Sequence, residues 1–452
     1  MQGGTTTIIG PAADPSGPVR QSGGASGRRP DPVEFHIVDA GAAAPLSRGA
    51  DGILRYGNLS PALTELLDLQ VHAFSNREAV VEVGGGRLTY RELWHSASRV
   101  AGGLQEQGIG YGDRVAVHMP PGVRWVRAFL GALLSGAVPV LVQYGLPRPA
   151  ADKVIADSDA DFVLGAPERG CGATRSDSRW AADLPDGAAF IDDGAALGDL
   201  ALLCYTSGAG AGAVPTGVEL TNENLLSAIR SMVAALDLPT DGMRNLVLQP
   251  LAHASGCVDQ LLPTFAVGGT VVLAQGTGAV AAAIAEEGVD TLAASTRILG
   301  GLLPELAAGR AGGLRTERVI RISTAGHRAD AGEPGSASAG DLGAVFPSAR
   351  QWSVWGATET SGIGLALGPT AGPAADGDGD GTVLGFPFGG TELALCGPEA
   401  ASGRGELLCR GPNVTRRYWN DPQRTADRFT GSWFHTGDHV CIGTDGLVRR
   451  SA

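Results

Sequence analysis

The chain has 452 residues, of which 43% are apolar, 18% charged and 5% aromatic, a length that allows about three domain-sized units around a substantial core. Sixty-nine glycines and 27 prolines lean it towards small residues and loops yet keep it within globular limits, which excludes collagenous, coiled-coil and wholly disordered chains. With 34 Lys plus Arg against 47 Asp plus Glu the net charge is -13, so a nucleic-acid-coating surface or binding to anionic lipid is not expected.

Residues 1–55 read as a flexible Gly/Pro/Arg-rich tail and lead-in, too poor in apolar groups near GGASGRRPDP to offset chain entropy. From Pro61 an amphipathic helix is predicted, then a strand pair over 79–83 and 87–90, and a helix over 90–107 carrying Leu93, Ala97, Val100, Ala101 and Leu104 on one face. A buried strand within 112–119 follows. Helix then strand repeats over 123–135 and 138–142, and again over 150–157 and 162–164, and the alternation resumes from Leu200 to about Leu367. This order predicts an α/β fold of two layered αβα subdomains with largely parallel sheets. Two loops, 327–340 and 369–382, are rich in breaking residues, and the short runs after them predict a small β-rich unit at about 375–435.

The six cysteines form no CxxC pair and no zinc-like spacing, so neither a disulfide framework nor a structural metal is expected and a reducing cytoplasm is the default. The longest apolar stretch, 128–143, is too short to span a bilayer and holds Gly136 and Pro139. Lys153 is the only lysine, and the other 33 cations are arginines, so any lysine chemistry has one candidate.

The stretch with most chemistry is Leu202-Leu-Cys-Tyr-Thr-Ser-Gly-Ala-Gly-Ala-Gly-Ala-Val-Pro-Thr-Gly-Val, a strand running into a Gly- and hydroxyl-rich loop before a helix over 222–236. Successive backbone N–H groups and the hydroxyls of Thr206 and Ser207 can wrap phosphate oxygens. Alone, the stretch reads equally as a Gly/Ala-rich surface turn.

Its companions, in order, are Leu88-Thr-Tyr-Arg-Glu-Leu, Gly112-Asp-Arg-Val-Ala, Gln249-Pro-Leu-Ala-His-Ala-Ser-Gly, Trp355-Gly-Ala-Thr-Glu-Thr, Gly405-Glu-Leu-Leu-Cys-Arg-Gly-Pro-Asn-Val with Tyr418-Trp-Asn, and Trp433-Phe-His-Thr-Gly-Asp. Over roughly 55–450 the chain resembles the adenylate-forming superfamily of acyl-CoA synthetases, acyl-AMP ligases and peptide-synthetase adenylation domains. The resemblance implies the N-terminal domain of such an enzyme over 56–440, with a small β-barrel subdomain. It also implies a stub over 441–452 where the family's C-terminal lid domain would start, that lid being absent.

What the resemblance implies for chemistry is activation of a small aryl or acyl carboxylate by Mg²⁺ and ATP. Thr206, Ser207 and Gly208 would hold the β- and γ-phosphates, Thr358 the α-phosphate, Glu359 the Mg²⁺ ion, and Asp438 the ribose hydroxyls. Gly326 would lie against adenine beside Trp355 and Gly356, and His253 matches the family's gate near the reacting carboxylate. As a lone histidine it also reads as a core residue. Because His253 stands where α-amino-acid domains carry an aspartate, a substrate without an α-amino group is expected.

Two departures qualify the match. Two extra residues lie between Gly208 and Pro215, Thr216 stands at the family's lysine position, and the lid's lysine has no counterpart, Lys153 falling in an outer helix. Losing a cation from a phosphate cradle weakens it by about 1–3 kcal/mol per charged hydrogen bond. Three classes of function therefore stand at this point. One is an ATP/AMP-using ligase, with CoA, a carrier protein or a trans-acting partner protein completing the reaction. The second is an acyl-transfer or condensation enzyme that keeps the cleft without ATP, and the third is a non-catalytic partner of a complete ligase.

Overall fold

Local signals start the elements where the sequence puts them. Thr89 accepts a hydrogen bond from Glu92 N at 3.3 Å while the Glu92 carboxylate takes Thr89 N at 2.8 Å, a reciprocal cap that satisfies two otherwise orphaned donors. The helix it opens, Tyr90–Gln105, buries Leu93, Ala97, Val100 and Leu104. It packs on the helix Val123–Leu134, where Trp125 and Phe129 stack at 5.4 Å. The computed structural model describes residues 30–37, 46–165, 179–188, 194–206, 215–325, 335–369 and 382–451.

Those helices sit between two sheets. The smaller has six strands in the order Gly217–Thr221, Leu200–Tyr205, Val138–Leu141, Arg114–Val117, Phe162–Leu164 and Arg179–Ala181. It is parallel except for the first pair, an antiparallel hairpin. The larger sheet runs parallel through Glu78–Glu82, Thr270–Leu273, Arg244–Val247, Thr291–Ser295, Arg321–Ala325 and Arg350–Ala357. From Gly362–Leu367 onward it turns antiparallel. Val80, Val117, Leu202, Phe129, Leu262 and Val271 join one core that spans both sheets and the helices between them. The predicted α/β layering is thus present.

The β-rich end differs from the expected barrel. Among the described residues its strands do not close. They continue the larger sheet through Val383–Pro387, Val448–Arg450, Trp433–Ile442, Arg404–Arg410, Glu392–Cys396 and Val33–Phe35. The 441–452 stretch, expected as a stub, contributes Val448–Arg450 as the strand that joins Val383–Pro387 to Trp433–Ile442. Likewise the 1–55 lead-in holds Val33–Phe35, paired with Leu393–Leu395, and a Leu46–Arg48/Leu54–Tyr56 hairpin. Composition could not reveal Val33–Phe35 as a strand, because its partner lies far away in the chain. The predicted loop at 327–340 also ends early. A Ser338–Asp341 capping pair starts the helix Ala339–Val345.

Two chain segments that carry predicted site residues leave the C-terminal ends of sheet strands: Thr206 after Leu200–Tyr205 and Thr358 after Arg350–Ala357. Clefts at such ends are where open α/β sheets bind ligands.

Candidate functional site

The first wall is the hairpin Leu200–Tyr205/Gly217–Thr221. Its mouth is closed by Thr206 N donating to Thr216 O at 3.0 Å and Thr216 N donating to the Thr206 hydroxyl at 3.2 Å. Thr216 is buried. Ser207 and Gly208, predicted for the same loop, lie outside the described residues, as does Gly326.

The second wall is the short helical turn Thr358–Thr360. Ala357 N donates to the Thr360 hydroxyl at 2.9 Å, and that hydroxyl donates to Gly362 O at 2.5 Å. Ser361 takes a left-handed φ of 51°. The segment 413–415 clamps the turn: Asn413 Nδ2 donates to Thr360 O at 3.0 Å and Thr415 N to Glu359 O at 2.8 Å. Thr358 and Glu359 are both buried. Tyr418 donates its hydroxyl to Glu359 Oε1 at 2.6 Å. The same short segment docks on the hairpin, since Tyr418 bridges Val218 and Trp419 N donates to Gly217 O at 2.8 Å. Tyr418 therefore ties the two walls together. Burial and the neighbouring Glu359 carboxylate push its phenol well above the usual range, so it stays a donor. Among the described residues neither Glu359 Oε2 nor the Thr358 hydroxyl has a hydrogen-bond partner.

The third wall is the turn at Thr436–Asp438 in the strand Trp433–Ile442. Asp438 Oδ2 accepts from the Trp355 indole N–H at 3.0 Å, and Arg450 lies 3.7 Å from Oδ1. Glu406 braces the turn from behind, accepting Gly437 N at 3.1 Å and meeting His435 Nδ1 at 2.9 Å. Gly356, next to Trp355, has no room for a side chain, because a Cβ there would lie 2.0 Å from Gly362 O. The structure thus brings Thr358, Glu359, Trp355, Gly356 and Asp438 together, with Thr206 joined to them through Tyr418.

His253 begins the next element. It caps the turn Ala254–Gly256, its Nδ1 accepting from Ser255 N at 3.2 Å and contacting the Ser255 hydroxyl at 2.9 Å. That turn lies against the hairpin: the Cys204 thiol is bonded by the Ala254 backbone and pushed up to about 12 by burial. A π-helical turn, Cys257–Leu261, follows and carries Asp259. Its Oδ1 accepts from Ile363 N at 3.0 Å. Burial lifts the carboxyl to about 7, and Asp259 and Glu359 both act on the Cys204 thiol. The sequence reading missed Tyr418 as a site residue although it quoted its motif, and missed Asp259. A lone acid inside the apolar run Cys257-Val-Asp-Gln-Leu-Leu was the available signal.

One trio of metal-ligating side chains exists among the described residues, Cys396, Glu406 and His435, with their donor atoms within 4.8 Å of one another. Both His435 nitrogens are already engaged, by Glu406 and by Thr430 at 2.9 Å, so the group braces the Asp438 turn. Among the described residues no helix is long and apolar enough to cross a membrane.

Residues 67–419 match the family model described as AMP-binding enzyme. A feruloyl-CoA synthase of Amycolatopsis sp is 30% identical over 384 residues, 82% of this chain and 74% of that protein. The N-terminal domain of FACL13 from Mycobacterium tuberculosis superposes with a TM-score of 0.74 at 25% identity, covering 87% of this chain and all, 100%, of that one. O-succinylbenzoate Coenzyme A synthetase from Bacillus subtilis, in complex with ATP and magnesium ion, gives 0.71 at 23% identity over 86% of this chain and 79% of that one. With a family match over most of its length and a relative 30% identical over most of both chains, the chain belongs to the AMP-binding enzymes, the adenylate-forming superfamily.

Proposed function

We propose that this chain activates a small aryl or acyl carboxylate with ATP and Mg²⁺, forming an acyl-adenylate and releasing pyrophosphate, in secondary metabolism. The observation that carries this reading is the Thr358–Glu359 turn held by Tyr418 against the Thr206/Thr216 hairpin, with Asp438 positioned by Trp355. Attack of a carboxylate oxygen on the α-phosphorus brings two anions together, so donors must be in place before charge develops on the phosphate oxygens. Thr358 offers the α-phosphate a hydroxyl not engaged by any described residue. Glu359 keeps one carboxylate oxygen for the metal while Tyr418 fixes the other, and a lone carboxylate beside phosphates suits Mg²⁺, a hard cation taking oxygen ligands. Bound there, the ion would neutralise phosphate charge. Asp438 gives one oxygen to Trp355, but a carboxylate has about four lone-pair directions, which leaves acceptors for two ribose hydroxyls.

In this reading Ser207 and Gly208 cradle the β- and γ-phosphates with Thr206. Gly326, Trp355 and Gly356 flank adenine, and His253 gates the reacting carboxylate. A thiol of CoA or a carrier protein accepts the acyl group, with a partner protein as the source of a lid. The five described cysteines are free thiols, which suits a reducing cytoplasm. One observation favours retention of the cleft for acyl transfer without ATP: the lysine position is filled by Thr216, which is buried and uncharged.

The two readings separate in calorimetry with ATP, AMP and a non-hydrolysable acyl-AMP mimic, run beside carboxylate-dependent pyrophosphate release. Ligase function gives nucleotide binding and turnover that vanish in Glu359→Ala and Asp438→Ala. Binding of the mimic without turnover supports the ATP-free reading. Absence of all nucleotide binding refutes both.

A further inference from the structure

A triphosphate is strongly anionic, and a cleft that binds one needs cationic donors fixed around it. The three walls offer few. Thr206, Thr216, Thr358, Trp355 and Gly356 are uncharged, Glu359 and Asp438 are acids, and Arg450 already faces Asp438 at 3.7 Å. Lys153 lies away on the helix Arg148–Asp157. Two arginines on the short helix Pro422–Arg428 are better placed. Arg424 and Arg428 stand four residues apart and so share one face of it. That helix is docked on the tie between the first two walls: Tyr418 N donates to Thr425 Oγ1 at 3.0 Å, and Trp419 N bonds the hairpin at Gly217, one residue from Thr216. The Arg424 guanidinium lies over the Tyr418 ring, 5.6 Å from its centroid, and the hydroxyl of that ring is on Glu359. Arg428 donates to Thr436 O at 3.3 Å, and its Nη1 lies 3.6 Å from where a Cβ on Gly437 would be, which puts it next to Asp438. The two cations therefore flank the interval between the metal side and the ribose side, the interval that a nucleotide's phosphate chain crosses. Other arginines of the segment are neutralised, Arg416 by Glu223 and Asp51 and Arg417 by Glu219 at 2.6 Å. Among the described residues neither Arg424 nor Arg428 forms an ion pair, and Arg428 Nε is buried with no hydrogen-bond partner. A partly buried guanidinium with unused donors is costly unless an anion meets it.

Resting on the proposed ligase reading, we infer that Arg424 and Arg428 bind the β- and γ-phosphates of ATP, in place of the cation that the Thr206/Thr216 hairpin lacks. An arginine fork meets two phosphate oxygens at once, and two forks one helical turn apart can meet neighbouring phosphates. The arrangement also accounts for a buried, neutral Thr216: the charge enters from the segment clamped on the hairpin rather than from the hairpin itself.

Calorimetry of the whole chain with Mg²⁺ and ATP, ADP or AMP is the test, because the three ligands share adenine, ribose and α-phosphate and differ only in the phosphates beyond. The wild type binds ATP tighter than AMP. In a variant carrying both Arg424→Gln and Arg428→Gln that preference shrinks by about tenfold or more, as expected for lost charge-assisted hydrogen bonds, while AMP affinity holds. Arg424→Lys keeps the charge and retains most of the preference. Arg416→Gln, at an exposed arginine already paired with acids, leaves it intact, which separates a local contact from a change in overall charge. Arg424 is exposed, so its single Gln variant decides the question where Arg428→Gln is unstable. The inference is overturned if the wild type binds ATP no tighter than AMP, if the preference survives the Gln substitutions, or if Arg416→Gln removes it equally. Weakened CoA binding with ATP binding untouched assigns the arginines to the phosphates of the acyl acceptor and overturns it as well. The ligase reading fails by a different result, AMP binding that is absent from the wild type or indifferent to Asp438→Ala.

Discussion

At the scale of single residues, Asp259 has a measurable consequence for stability. Its folded-state proton affinity, about 7, lies above its ordinary value of 3.8. The native state then binds a proton that the unfolded state has released across that window, so this group's contribution falls as pH rises from about 4 to 7. Each unit crossed costs up to about 1.4 kcal/mol. Asp259→Asn removes the titration. In urea unfolding, the variant gains on the wild type steadily between pH 5 and pH 7, and the difference levels off above about pH 7.5. A difference that does not change with pH would show that the carboxyl titrates normally. Tyr418 illustrates a different kind of residue. Its motif was visible in the sequence, but its bond to Glu359 joins positions 59 apart in the chain, and no local pattern announces such a partner.

Among the elements, legibility followed the range of the forces involved. The helix Tyr90–Gln105 was expected at 90–107, and the helix Val123–Leu134 at 123–135, because period and caps are written in adjacent residues. At the β-rich end the barrel was implied by the resemblance, while the short runs themselves specify strands without specifying which edges pair. The Val33–Phe35 strand finds its partner at Leu393–Leu395. The π-turn was equally invisible, since it packs on the helix Asn222–Ala235 and the strands Arg244–Val247 and Gly362–Leu367, all distant from it in the chain. That junction carries a prediction. Gly362→Ala imposes a left-handed φ on a side chain and drives a methyl into the Asp259 carboxylate. Backbone strain of this kind costs about 1–3 kcal/mol, and displacing the carboxylate from Ile363 N adds the loss of a buried hydrogen bond. The expected outcome is a lower denaturation midpoint, whereas Gly301→Ala, in an open helical position with nothing within 4 Å, holds or slightly raises it, since alanine favours helix over glycine by up to about 1 kcal/mol. If both glycines behave alike, the Gly362 contact has no special role.

For the molecule as a whole, the candidate site is assembled from three regions of two sheets. The hairpin belongs to the six-stranded sheet, the Thr358–Thr360 turn to the parallel part of the larger sheet, and Asp438 to its antiparallel extension. Tyr418 spans the first two and Trp355 the last two. The sequence listed most of these groups in order, yet the cleft exists only because two sheets bring them to one place. A ligand touching all three pieces adds cross-links that the unfolded chain cannot make, so its binding energy adds to stability. At a nucleotide concentration about a hundred times its dissociation constant the gain is roughly 2.7 kcal/mol. For a chain of this size that raises the midpoint by about 3 °C, since the unfolding entropy grows with length. Differential scanning calorimetry with Mg²⁺ and ATP should show the shift in the wild type and lose it in Asp438→Asn. A shift that persists in Asp438→Asn would place the nucleotide elsewhere, because the only described link from the antiparallel extension to the cleft through Trp355 runs by way of that carboxylate.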